Sequence, residues 1–149
     1  MHTYNLHAVR FWCAVIFAAV MVYLAGLHAY WALGGKWGSF ATVPTVGGQR
    51  TFHPGPSATW VVAILLAIGA VIICGQAGVF AIGSWSPLFR LGAWCLCGVF
   101  LLRAIGNFKT VGLFKSVRGT PFAYWDTRLY SPLCVFLAAL AGVIASGRD

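Results

Sequence analysis

Four long apolar segments limit how this chain can fold. They cover about residues 11–33, 59–82, 87–108 and 122–146. Each approaches or exceeds the ~20 residues that an α-helix needs to cross a hydrocarbon core of ~30 Å. Only 8% of the residues are charged, whereas soluble domains carry roughly 25%. The sequence therefore predicts an all-α integral membrane protein, with one domain over residues 1–149 and four transmembrane helices in an antiparallel bundle.

Glycine, proline and hydroxyl residues mark where these helices begin and end. Gly34 follows the first segment, where a glycine can adopt the positive φ that ends a helix. Ser57 or Thr59 is expected to cap the second helix. The link of residues 83–86 before the third helix is short, which predicts that helices two and three form a tight antiparallel pair.

The start of the fourth helix has two interpretations. A helix that begins at Ser131 and Pro132 would measure only ~22 Å, less than the bilayer core of ~30 Å. A helix capped by Thr120 would run from about residue 122 to 146 with a kink at Pro132, which membrane helices tolerate. The longer helix is favoured because it spans the bilayer.

The first connection, residues 34–57, is long enough to hold structure of its own. Within it, residues 43–52 predict a small β-hairpin, because Gly47 and Gly48 supply the positive φ angles of a tight hairpin turn. Pro44 would confine its strand to an edge position. The hairpin is expected to rest on another part of the protein, since two strands alone are marginally stable.

Positive charge is concentrated on one side of the predicted bundle. Four spans place both termini and the second link on one side, and the first and third loops on the other. The loop side carries Lys36, Arg50, Arg103, Lys109, Lys115, Arg118 and Arg128. Against the single carboxylate of Asp126, these seven cations leave a net charge of +6, compared with +2 on the terminal side. Because lysine and arginine accumulate in cytoplasmic loops, the first and third loops are predicted to be cytoplasmic and the termini outside.

Asp126 is the only carboxylate away from the C-terminus, and the chain has no glutamate. This excludes paired-carboxylate acid–base chemistry and a Mg²⁺ or Ca²⁺ site built from several carboxylates. Arg103, ~24 Å along the third helix, has two possible roles. It could form a structural ion pair with Asp126, which is the favoured interpretation, or it could face a cavity and bind an anion.

No residue of this chain is predicted to be catalytic, and no metal or cofactor is expected. His28 and His53 could form a metal triad with Asp126, but their spacing is not that of a metal site, so hydrogen-bonded histidines are favoured. All five cysteines lie in apolar segments, which predicts that they act as small buried apolar side chains. Nucleophile-elbow, phosphate-loop, dinucleotide and haem motifs are absent.

Aromatic residues share the loop side with the cations. They are Tyr30, Trp31, Trp37, Phe52, Phe108, Phe114, Phe122, Tyr124, Trp125 and Tyr130. Rings beside arginine and lysine at a bilayer edge suit an anionic amphiphile, although an ordinary aromatic belt with topology-setting charges has the same composition. The candidate ligands for an anion or head group are His28, Arg103, Lys109, Lys115, Arg118 and Arg128.

The leading hypothesis is a non-enzymatic membrane protein whose cationic, aromatic-rich face engages anionic lipid or a partner protein. Nucleic acid is not an expected partner, because the cations are spread along the chain and belong to no binding motif. The alternative is a small intramembrane enzyme that acts on a lipid or quinone-like substrate with His28, Arg103 and Asp126 in one cavity.

Several short motifs resemble one known family. They are His28-x-Tyr30-Trp31-x-x-Gly34-Gly35, Arg103-x-x-Gly106-x-Phe108, Gly112-x-Phe114-Lys115 and Asp126-Thr-Arg-x-Tyr130-Ser-Pro132-Leu-Cys134. Together they resemble the bacterial membrane family catalogued as domain of unknown function 3995, over about residues 11–145. The resemblance implies a four-helix protein of the bacterial inner membrane, and it implies no activity.

Overall fold

Four helical segments build the protein, whose computed structural model describes residues 2–147 and the side chains of residues 6–147. The segments are α1 (His2–Ala32), α2 (Pro56–Gln76), α3 (Ser86–Ile105) and a fourth composed of α4 (Pro121–Trp125), a π-helical turn (Asp126–Tyr130) and α5 (Ser131–Ala145). All four are long and apolar enough to cross a membrane, with mean hydropathy between 1.7 and 2.5. The prediction of an all-α membrane protein with four transmembrane helices is confirmed.

The core lies along two helix pairs, α1 with α2 and α3 with α5. Phe17 of α1 packs edge to face against Phe100 of α3, with 5.9 Å between the ring centroids, and this contact joins the pairs. Ile73, Leu137 and Ile144 are buried beside them. Many large apolar side chains of the four helices remain exposed in the isolated chain, as expected where lipid is the surrounding solvent.

The helix boundaries differ from the predicted ones at several places. α1 begins at His2, because the helix continues through the polar residues that precede the apolar segment. α2 begins at Pro56 with Gly55 as its N-cap, so neither of the predicted hydroxyl residues caps it. Proline suits the first helical position because its missing N–H would have no partner there.

A Schellman motif ends α2 six residues earlier than predicted. Gly78, with φ of 79°, donates its N–H to the carbonyl of Gly75, and the N–H of Val79 donates to the carbonyl of Cys74. These are the two hydrogen bonds that define this helix end. The link to α3 therefore comprises residues 77–85 and is longer than the predicted tight connection.

The fourth span follows the longer of the two predicted paths. The side chain of Thr120 accepts a hydrogen bond from the N–H of Ala123, so the predicted cap is present. The helix then continues to Ala145 through the π-helical turn, in which the N–H of Ser131 donates to the carbonyl of Asp126. This wide turn lies immediately before Pro132, whose ring would crowd the carbonyl of a regular preceding turn.

The first loop contains the predicted hairpin. Strands β1 (Thr45–Val46) and β2 (Gln49–Arg50) pair antiparallel. Gly47 and Gly48 between them have φ of 60° and 81°, as a type I′ turn requires. The first loop also reaches the fourth span, because the Tyr130 hydroxyl donates to the carbonyl of Ala41 at 3.3 Å.

Arg10 joins three helices on the opposite, terminal side of the bundle. Its Nη2 atom donates to the carbonyls of Gln76 at 3.1 Å and Ile144 at 3.3 Å, near the C-terminal ends of α2 and α5. A helix C-terminus carries about half a negative charge, so two such ends together balance one guanidinium. The backbone of Gly147 lies against this guanidinium, where a side chain would collide with it.

Candidate functional site: an ionic clasp beneath the third loop

Asp126 stands at the centre of the polar part of the protein and is 0% exposed. Its Oδ1 atom accepts hydrogen bonds from Arg103 Nη2 at 2.8 Å and from Ser131 Oγ at 3.2 Å. Its Oδ2 atom accepts from the backbone N–H of Gly112 at 2.8 Å and from Lys115 Nζ at 3.0 Å. A carboxylate offers about four acceptor positions, so all of them are used. We call these five residues the ionic clasp.

Lys115 belongs to the interior of the clasp and is only 3% exposed. Its ammonium donates to the carbonyl of Gly112 at 2.9 Å, to Asp126 and to Thr127 Oγ1 at 2.7 Å. An ammonium group has three N–H donors, and each now has an acceptor. The sequence placed Lys115 among the candidate head-group ligands, whereas in the structure its charge is buried against Asp126 and no donor is left over.

Arg103 occupies the last turn of α3 and connects this helix to the fourth span. The structure brings it to Asp126, as the ion-pair hypothesis requires, at 2.8 Å. Its side chain is 33% exposed, yet its Nη1 atom is buried and has no hydrogen-bond partner. The two cations and one carboxylate leave the clasp with one uncompensated positive charge.

Two glycines bring the third loop onto the end of α3. Gly106 and Gly112, with φ of 78° and 95°, lie backbone to backbone, and a Cβ on either one would collide with the opposing main chain. The N–H of Leu113 donates to the carbonyl of Ala104 at 2.8 Å, which holds the loop in this position. The same fold directs the N–H of Gly112 toward Asp126.

Asn107 orders the part of the third loop that lies between these glycines. Its Oδ1 atom accepts from the N–H groups of Lys109, Thr110 and Val111 at 2.7–3.1 Å. Phe108 adopts a φ of 60°, which is uncommon for a residue with a side chain. The loop is thus a defined structure rather than a simple connector, a feature that the sequence analysis did not predict.

Cations that do not take part in the clasp are exposed on the same side of the protein. They are Lys36, Arg50, Lys109, Arg118 and Arg128. Both ion pairs found within residues 2–147 involve Asp126, so none of these five cations has a carboxylate partner in that range. Arg128 lies over the ring of Tyr124, 3.9 Å from its centroid, which is cation–π geometry. We call these five residues the exposed cationic face.

Aromatic rings are exposed beside this face. Phe108 and Phe114 of the third loop are 63% and 64% exposed, and their ring centroids are 6.4 Å apart. Trp37 and Phe52 of the first loop are also exposed, whereas Phe122 is buried in the protein. The loop side therefore presents positive charge and apolar rings together.

His28 and His53 stand apart from the clasp in their described contacts. His28 Nδ1 lies 2.8 Å from the carbonyl of Leu24 in the same helix, and its ring packs edge to face on Trp31. His53 is exposed in the first loop. Over the described part of the chain, no group of three or more histidine, cysteine or acidic residues could hold a metal ion.

Three polar partners of Asp126 and Lys115 were not among the predicted site residues. Ser131 follows Asp126 by five residues. A π-helical turn pairs residues five apart, so the turn between them brings the two side chains together. Thr127 reaches Lys115, and Gly112 contributes only its backbone. A backbone donor leaves no signal in residue type, so Gly112 could be found only from the folded loop.

Comparison with protein families gives a match over residues 21–141 to the family described as "Protein of unknown function (DUF3995)". The chain belongs to this family. The matched region includes the third loop and every residue of the clasp, and the predicted resemblance is confirmed. Comparisons with curated proteins and with solved structures gave no match. The family description states no activity that could be transferred to a residue of this chain.

Proposed function

We propose that this member of the family is a non-enzymatic integral membrane protein whose exposed cationic face binds the head groups of anionic lipids. The supporting observation is that five exposed cations on one side lack carboxylate partners within the described residues. A cation near an anionic membrane surface contributes about 1 kcal/mol to binding. Exposed aromatic rings add contacts at the boundary between head groups and acyl chains.

Lipid is favoured over a partner protein as the occupant of this face. Phe108 lies three residues beyond the end of α3, so the exposed rings and cations of the third loop start where this apolar helix stops. The end of a membrane-spanning helix lies at the depth where lipid phosphates and aromatic belts are found. A partner protein is the competing occupant, and native mass spectrometry of the purified protein would detect it.

The intramembrane enzyme with His28, Arg103 and Asp126 is the weaker hypothesis. A general base needs a free acceptor position near its substrate, but both oxygens of Asp126 already accept two hydrogen bonds each. The described contacts of His28 are with its own helix. No observation among these contacts favours a reaction.

Neutralising the exposed cationic face should weaken binding to anionic lipid. For a variant with Arg50→Gln, Lys109→Gln and Arg118→Gln, we expect at least about a tenfold loss of phosphatidylglycerol binding, because each cation contributes about 1 kcal/mol. Native mass spectrometry of the purified protein, with phosphatidylglycerol and phosphatidylcholine in competition, measures this loss.

Arg90→Gln is the matched control, because Arg90 is an exposed cation on the terminal side. It should leave the preference for phosphatidylglycerol unchanged. Equal phosphatidylglycerol binding by the triple variant and the wild type would contradict the proposal. A partner protein is indicated instead if a stoichiometric subunit co-purifies with the wild type but not with the triple variant, while the amount of bound lipid is the same in both.

We further propose that the protein lies in the inner membrane of a bacterial cell with this face in the cytoplasm. The proposal rests on the excess of lysine and arginine in the first and third loops. His53 and Ser84 are exposed on opposite sides of the bundle. In intact bacterial cells, a membrane-impermeant maleimide should label a Ser84→Cys variant but label a His53→Cys variant only after permeabilisation. The reverse pattern would place the cationic face outside.

A further inference from the structure

Arg103 is the one member of the clasp with a buried donor left over. Its Nη1 atom is buried without a partner, while its Nη2 atom is bound to Asp126. Nη1 cannot share Asp126 with Nη2, because both oxygens of this carboxylate already accept two hydrogen bonds each. The unpaired donor of Arg103 therefore lies in a cluster that also carries one uncompensated positive charge.

We infer that the Nη1 edge of Arg103 is a binding site for a single phosphate oxygen. From the sequence, pairing with Asp126 and binding an anion are alternative roles for Arg103. In the structure they belong to different nitrogens of one planar guanidinium, a group that can hold two acceptors side by side. The inference deepens the proposed lipid binding, on which it rests, by assigning one head-group oxygen to one atom.

The position of Arg103 fits this ligand. Arg103 precedes the last residue of α3 by two positions, roughly 3 Å along the helix axis, so its charge lies close to the level of lipid phosphates. Its side chain is partly exposed, so a ligand can approach it, and would reach the buried Nη1 by displacing the atoms that cover it. A water molecule would satisfy the donor but not the charge, and an unbalanced cation is costly at the edge of a low-dielectric bilayer.

The test uses the full-length protein, purified and freed of lipid in a neutral detergent. Native mass spectrometry measures the binding of phosphatidylglycerol, and thermal unfolding measures the effect of inorganic phosphate against sodium chloride of equal ionic strength. Arg103→Lys retains the charge and can still pair with Asp126, but it has no second nitrogen. We expect it to lose about tenfold in phosphatidylglycerol affinity, as removal of a charge-assisted hydrogen bond does.

Arg90→Lys is the matched control, since it makes the same exchange at an exposed arginine on the terminal side, outside both the clasp and the exposed cationic face, and should retain wild-type affinity. Saturable binding of phosphatidylglycerol alone identifies a lipid head group as the source of the phosphate. Saturable stabilisation by inorganic phosphate, beyond that by chloride, identifies free phosphate. If Arg103→Lys does not fold, the Arg50, Lys109 and Arg118 triple variant decides the question: saturable binding that persists without these exposed cations supports the Arg103 site, and its complete loss contradicts it.

The inference is overturned if neither phosphate source binds saturably to the wild type, or if a folded Arg103→Lys variant binds like the wild type. If Arg103→Lys binds like the wild type but the Arg50, Lys109 and Arg118 triple variant loses lipid binding, the proposed function is supported and the Arg103 site is not. If Arg103→Lys loses phosphatidylglycerol binding while the triple variant binds like the wild type, the Arg103 site is supported and the exposed cationic face is not the lipid-binding surface.

Discussion

Replacing Asp126 by asparagine is expected to lower the free energy of unfolding by about 3–5 kcal/mol, the usual cost of removing one partner of a buried ion pair. The substitution conserves the size of the side chain but leaves Lys115 buried without an opposing charge. It also replaces an oxygen that accepts two hydrogen bonds by a group that donates. Reversible unfolding in mixed detergent micelles measures the effect.

Two further variants show whether the buried charge is the cause. Arg118→Gln removes an exposed cation outside the clasp and should change stability by no more than about 0.5 kcal/mol. Adding Lys115→Met to Asp126→Asn removes the stranded ammonium and should recover part of the loss, because the two sites are coupled. Unfolding of Asp126→Asn within about 1 kcal/mol of the wild type would mean that the clasp contributes little to stability.

Gly112→Ala is expected to destabilise the third loop by about 2–6 kcal/mol, the sum of backbone strain of about 1–3 kcal/mol and overpacking of about 1–3 kcal/mol. A Cβ at this position would collide with the main chain of Ile105 and Gly106, which cannot rotate away as a side chain would. Gly112 also has a φ of 95°, which L-residues rarely adopt. If the loop moved to avoid this collision, the hydrogen bond from the N–H of residue 112 to Asp126 would break.

Gly98→Ala is the corresponding control within α3. A Cβ at Gly98 would have no neighbour within 4 Å, so this variant should be neutral or more stable by about 0.5–1 kcal/mol, as expected for alanine in a helix interior. The measurement is the same unfolding experiment, combined with hydrogen exchange at the third loop. Equal stability of Gly112→Ala and Gly98→Ala would argue against the close contact of Gly106 and Gly112.

Local features of the chain were enough to predict most of the fold. The apolar length of each span predicts a transmembrane helix, because backbone polar groups in a bilayer must be satisfied within the protein. Gly47 and Gly48 predict the hairpin turn, and Thr120 predicts the start of the longer fourth helix. The end of α2 was less predictable, since residues 75, 78 and 83 are all glycines that could end a helix.

The candidate site shows the limit of such predictions. The number and positions of the apolar spans, which are properties of the chain alone, placed Arg103 and Asp126 on one side of the predicted bundle. Which cations are buried and which are exposed followed from long-range contacts. Gly106 and Gly112 fold the third loop over α3, and this brings Lys115 to Asp126 while Arg118 remains exposed. The free energy of a charge depends on the donors and acceptors that the folded chain collects around it, and residue type does not record that environment.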